Sequence, residues 1–204
     1  MTEWLTLVNE KGIKQGKKLR DDIHRDGDWH ETFHCWFVEQ DDDDISLYFQ
    51  LRAYNKKNLP GIWDVTSAGH IMHGEDILTG GIRELKEELG LSFYTTNLVY
   101  KGIYKTNHEY LNFIDREMCH VYFHIVTKPI VFALGNEVED IMKINATVLW
   151  KLLKGEQSLV TATPVISAKT EPIVVTLQDI SAFEIDYYQF VIEQGRNILK
   201  TNIL

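Results

Sequence analysis

Three glutamates on one face of a short helix constrain this chain more than any other feature. Residues 75–89 carry apolar side chains at Ile77, Leu78, Ile82, Leu85 and Leu89. Their spacings of one, three and four draw a single stripe along an α-helix. Gly90 follows as a natural C-cap. Glu84, Glu87 and Glu88 fall at i, i+3 and i+4, which stacks three carboxylates together. Like charges so placed repel and weaken a helix unless a cation neutralises them. Such oxygen donors suit Mg²⁺ or Mn²⁺, whereas zinc favours nitrogen and sulfur. Arg83 adjoins the cluster, and its planar fork can grip a carboxylate at two points, with Glu75 as candidate partner. A solvated Glu/Lys helix with ordinary surface pairs accommodates Glu84 and Lys86 but not Glu87-Glu88 beside Glu84. The helix thus has a packing side and a metal side.

The rest of the chain supplies a core for the packing side. Strand-like runs occur at residues 3–9, 33–38 (FHCWFV), 45–51 (ISLYFQL), 63–67, 98–104 and 117–126. Asp41-Asp42-Asp43-Asp44 reads as a solvated turn between the second and third of these, not as a metal site. Residues 14–28 are charged and are expected to wind over the surface. Residues 148–153 suggest a short helix and 182–199 a longer amphipathic one, while 161–176 take no clear assignment. Strands mixed with helices predict an α/β layered domain. The 204 residues suit one domain. Its core would span about 28–155, with an N-terminal extension (1–27) and a C-terminal segment (156–204). The last helix either caps the domain or packs on a second subunit as a homodimer.

A net charge of −9 argues against a nucleic acid polymer or an anionic membrane as partner. A small phosphorylated ligand remains compatible where a few cations and a metal converge. The start of the sequence does not resemble a secretory signal, and no apolar run suits a membrane span. Two cysteines, Cys35 and Cys119, are too few for a disulfide framework, so a cytoplasmic location is expected.

The stretch 69–91 resembles the Nudix box over its whole length. Gly69, Glu75, Arg83, Glu84, Leu85, Glu87, Glu88, Gly90 and Leu91 fill its fixed positions. The resemblance implies an α/β/α sandwich with a mixed sheet, the box forming a loop–helix–loop. It also implies a divalent-metal-dependent hydrolase that cleaves a diphosphate linkage in a small molecule, typically a nucleoside diphosphate derivative. Glu84, Glu87 and Glu88 would be metal ligands, joined by the carbonyl of Gly69, and Arg83 would orient the cluster with Glu75. Metal ions there would neutralise diphosphate charge and acidify an attacking water. A glutamate outside the box serves many relatives as general base. Glu139 is the first candidate, with Glu117 and a box glutamate as competitors.

The flanks are similar to the isopentenyl-diphosphate isomerase branch of the same superfamily, over roughly residues 1–155. The residues concerned are Gly16, Arg20, His24 and His30, then Arg52, Lys56, Pro60-Gly61 and Trp63, then Ala68-Gly69-His70. That likeness implies a second metal held by His24, His30, His70, Asp115 and Glu117, and a substrate diphosphate held by Arg20, Arg52 and Lys56. One departure matters: the isomerase's catalytic cysteine is Ala68 here, and a methyl group moves no proton. With the box complete, hydrolysis is expected over isomerisation or ligand binding without turnover. Residues 105–115 and 161–176 are expected to shape the pocket for the organic group.

Overall fold

Alternation along residues 29–41 sets the architecture. Phe33, Cys35 and Phe37 join one apolar cluster, while Trp36 and Val38 join another. Residues 44–52 do the same, with Tyr48 in the first cluster and Ile45, Leu47 and Phe49 in the second. A sheet apolar on both faces needs a layer on each.

The computed structural model describes residues 3–110, 113–166, 171–181 and 183–202. Its strands are β1 (Trp4–Val8), β2 (Lys14–Leu19), β3 (Trp29–Asp41), β4 (Asp44–Arg52), β5 (Trp63–Val65), β6 (Ser67–His70), β7 (Val99–Tyr110), β8 (Phe113–Val126), β9 (Val138–Asn145), β10 (Leu159–Pro164) and β11 (Ile173–Thr176). Its helices are α1 (Arg20–Asp26), α2 (Ile77–Leu89), α3 (Ala146–Leu153) and α4 (Ile185–Asn202). The strands form one sheet in the order β11-β10-β9-β4-β3-β1-β2, with β5 beside β4, β6 and β8 beside β3, and β7 beside β8. Among the described strands only β3 and β8 pair in parallel, so the sheet is mixed. Leu85 and Leu89 of α2 close the first cluster. Leu149 and Leu152 of α3, with Tyr187, Tyr188, Val191 and Ile192 of α4, close the second. The result is the expected α/β/α sandwich.

Several local expectations change. Residues 14–28 do not simply wind over the surface: they form β2 and α1. β2 is an edge strand paired only with β1, and it buries nothing fully, so its sequence shows no apolar alternation. The unassigned stretch 161–176 falls largely in the β10–β11 hairpin, with 167–170 outside the described residues. The acidic residues Glu139 and Asp140 lie on β9, just after Glu137. The long helix begins at Ile185, and Ala182 lies outside the described residues. The turn between β3 and β4 forms, but Asp44 is not solvated. It accepts from Arg196 Nε at 2.8 Å and Nη2 at 3.0 Å, which ties α4 to its own sheet. Among the described residues no helix is long and apolar enough to cross a membrane.

Candidate active site

α2 starts at Asp76, whose side chain accepts from the Thr79 amide at 3.0 Å and caps the first turn. The helix lies very close to the sheet. A Cβ on Gly81 would sit 2.2 Å from the Phe33 ring, and one on Gly69 would sit 2.1 Å from Glu84 Cδ. Glycine at 81 lets α2 lie on β3, and glycine at 69 lets β6 run directly beneath Glu84.

Arg83 organises the outer part of the box. Its Nε and Nη2 grip Glu75 at 3.1 and 3.0 Å. Its Nη1 reaches Glu84 at 2.6 Å and Glu87 at 3.1 Å, and Nη2 also donates to the His70 carbonyl at 3.2 Å. One guanidinium thus fixes three carboxylates and the strand beside them. Glu87 is largely exposed and Glu84 largely covered. Burial pushes the Glu84 carboxyl up to about 7 despite Arg83.

Glu88 faces inward. It accepts from Ser67 Oγ at 2.6 Å, the Ala68 amide at 3.2 Å and Gln50 Nε2 at 3.2 Å. Burial raises it to about 8, with the nearby Glu84 charge adding to the rise. Two carboxyl groups reluctant to ionise, side by side, form a donor set that a divalent cation would satisfy.

The histidines and acids expected to form a second cluster do come together. The rings of His24, His30 and His70 have centroids 5.1–5.2 Å apart. Asp115 Oδ1 lies 3.4 Å from His24 Nε2 and 3.7 Å from His30 Nε2. Glu117 joins His30 and Asp115 in a group whose ligand atoms lie within 4.8 Å of one another. His30 Nδ1 lies 3.2 Å from the Asp28 carbonyl, which can only accept, so Nδ1 carries the proton. Burial lowers His30 and lowers His70 strongly, keeping both neutral. The bare lone pair of His30 Nε2 is therefore turned towards Asp115. His30 Nε2, His70 Nε2 and Asp115 Oδ1 are all buried without a hydrogen-bond partner. Neutral imidazoles beside an ionised carboxylate fit a transition-metal ion such as Mn²⁺ or Zn²⁺.

A cleft of about 660 Å³ opens beside the histidine cluster: Arg20, Arg25, Arg52, Lys56 and Lys57 line it with His24 and with the acids Asp21 and Glu137. The Lys56 charge acts on both Glu88 and His70. Arg52 is also structural, donating to the carbonyls of Leu59 and Asn58 and to Asp64. Arg20 is shared with Glu3 at 3.0 Å.

Glu139 does not take part in this arrangement. It is exposed on β9, and among the described residues its side chain has no hydrogen bond or ion pair. Glu137 does: it pairs with Lys56, and its charge contributes to the rise at Glu84. The sequence reading also missed Gln50 and Ser67, which hold Glu88, and His108. His108 sits opposite Asp115 across β7 and β8 with Nε2 buried and unpartnered. That cross-strand position, once register is known, is the signal that would have found it.

A NUDIX domain model matches residues 28–162. An uncharacterized Nudix hydrolase of Clostridium acetobutylicum is 43% identical over 122 residues, covering 60% of this chain and 59% of that protein. Nudix hydrolase 3 of Arabidopsis thaliana is 37% identical over 150 residues, 69% of this chain but 19% of its own length. An isopentenyl-diphosphate Delta-isomerase of Photobacterium profundum is 32% identical over 89 residues, 44% of this chain and 49% of that one. The chain thus spans less than two thirds of each of these relatives. For fold alone, a Deinococcus radiodurans crystal structure superposes with a TM-score of 0.57 at 19% identity, covering 76% of this chain and 91% of that one. A box complete at every fixed position, the sandwich that carries it and a domain match over most of the chain lead to one conclusion: this protein belongs to the Nudix hydrolase family.

Proposed function

We propose that the chain hydrolyses a diphosphate linkage in a small organic molecule, with a divalent metal held by Glu84, Glu87, Glu88 and the Gly69 carbonyl. A second ion would occupy the pocket of His24, His30, His70, Asp115 and Glu117. One observation carries the reading: in a chain of net charge −9, five cations line a single cleft together with His24, and one of them, Lys56, acts electrostatically on both Glu88 of the box and His70 of the histidine cluster. Such a cleft suits a polyanion, with His24 of the histidine cluster in its wall.

The chain's own residues divide the work. Arg20 and Lys56 attract and align the diphosphate. Arg83 holds Glu84 and Glu87 on one side of it, and Gln50, Ser67 and the Ala68 amide orient Glu88. Glu137, close to Glu84 and paired with Lys56, is the carboxylate available to take a proton from water. The bound ions would supply charge neutralisation at the diphosphate and a more acidic water. A panel of nucleoside diphosphate derivatives, sugar nucleotides, dinucleoside polyphosphates, coenzyme A and prenyl diphosphates, with Mg²⁺ or Mn²⁺ and product identification, tests this. Turnover of at least one compound is expected, reduced ~100–1,000-fold in Glu87→Gln. No turnover on any of them, or an unaffected variant, refutes it.

Isomerisation of isopentenyl diphosphate is the second reading, favoured by the histidine–acid pocket. Ala68 weighs against it, because it leaves no thiol on β6 and Cys119 is fully buried on β8. The same panel decides, since the dimethylallyl isomer is a distinct product.

A further inference from the structure

The face of β3 that carries His30 also carries His34, two pleats on. His34 is buried and stands opposite Ala68 across the β3–β6 pair. Its Nδ1 lies 2.7 Å from the Tyr187 hydroxyl on α4, and Trp36 Nε1 donates to that same hydroxyl at 3.1 Å. On the other side of the ring, Nε2 lies 3.6 Å from Glu117 Oε2. Glu117 itself belongs to the group formed with His30 and Asp115.

An indole N–H only donates, so the Tyr187 oxygen accepts from Trp36 and keeps its own proton to give. Given to His34 Nδ1, it leaves the imidazole proton on Nε2, facing the Glu117 carboxylate. With both ring nitrogens protonated, the same N–H still faces Glu117. In both of these states a His34 N–H faces one oxygen of Glu117 at ion-pair distance, 3.6 Å.

We propose that His34, oriented by Tyr187, is a positioning residue that steadies Glu117 so that its carboxylate stays aimed into the pocket of His24, His30, His70 and Asp115. The proposal rests on the reading of that pocket as a cation site. It makes α4, which lies outside the matched residues 28–162, a working part of the site. Carboxylate ligands are steadied by hydrogen bonds from the layer behind them, and loss of such partners costs metal affinity.

Calorimetric titration of the full chain with Mn²⁺ tests the proposal. His30→Ala identifies the binding step that belongs to the histidine pocket. At that step His34→Leu is expected to weaken affinity ~10–100-fold. His34→Gln, which keeps an N–H near the Nε2 position, is expected to recover most of it. Tyr187→Phe removes a single oxygen and should weaken binding in the same direction, so it decides the matter if His34→Leu fails to fold. In a Glu117→Gln background, His34→Leu should cost nothing further. Unchanged affinity in His34→Leu and Tyr187→Phe, with Glu117→Gln weakened, overturns the positioning role and leaves the cation reading standing. A loss in His34→Gln as large as in His34→Leu marks mere packing and also overturns it. If neither His30→Ala nor Glu117→Gln alters Mn²⁺ binding, the cation reading fails and the positioning role with it.

Discussion

Replacing Glu88 by glutamine removes a buried titratable group while keeping its shape. Burial raises this carboxyl from its ordinary 4.5 to about 8. The folded protein therefore keeps a proton that the unfolded chain has already lost, so stability falls as pH climbs from 4.5 towards 8. At ~1.4 kcal/mol per pH unit the group accounts for at most about 5 kcal/mol of that fall. Glu84, raised to about 7, acts in the same direction. Glu88→Gln should flatten the profile and leave the metal-free variant several kcal/mol more stable than wild type above pH 8. The new amide N–H has a ready partner, because Gln50 Oε1 is a buried acceptor without one. Urea unfolding in chelator at pH 5, 6.5 and 8.5 measures this. Mn²⁺ should restore wild-type stability at high pH and do little for the variant, whose turnover should be lost. Parallel stability curves for the two proteins would show that Glu88 ionises freely in the fold and refute the reasoning.

Two other substitutions separate site from scaffold. Gly69→Ala puts a methyl group where Glu84 Cδ now lies, so Glu84 must swing away and turnover should drop by at least ~10-fold, read by steady-state kinetics alongside Tm. Glu137→Gln should lower kcat ~100-fold or more as loss of a general base, while Glu139→Gln should leave it near wild type; the reverse ranking would return the role to Glu139.

The box was legible because its parts are local. Arg83, Glu84 and Glu87 lie within two turns of one helix, so their meeting needs no knowledge of the fold. The fate of Glu88 was less so. It falls between Leu85 and Leu89 on the apolar stripe, and in hindsight that phase places it against the sheet. The histidine pocket is assembled from α1, β3, β6 and β8, and spacing along the chain carries no trace of that; only the likeness to the isomerases suggested it. Edge strand β2 was missed because an exposed strand has no need of apolar residues. His34 was hidden inside FHCWFV, a run that reads as core, and its partner Tyr187 sits 153 residues away.

His30 pairs with Glu117, and His34 with Val121, in the parallel register of β3 and β8. On β3 those imidazoles share one face with Trp36 and Val38, which belong to the main apolar cluster. A slip of a single residue on β3 would invert this face, turning its imidazoles out of the pocket and its indole out of the oil together. The apolar packing of Trp36 and Val38 therefore also fixes which way His30 and His34 point.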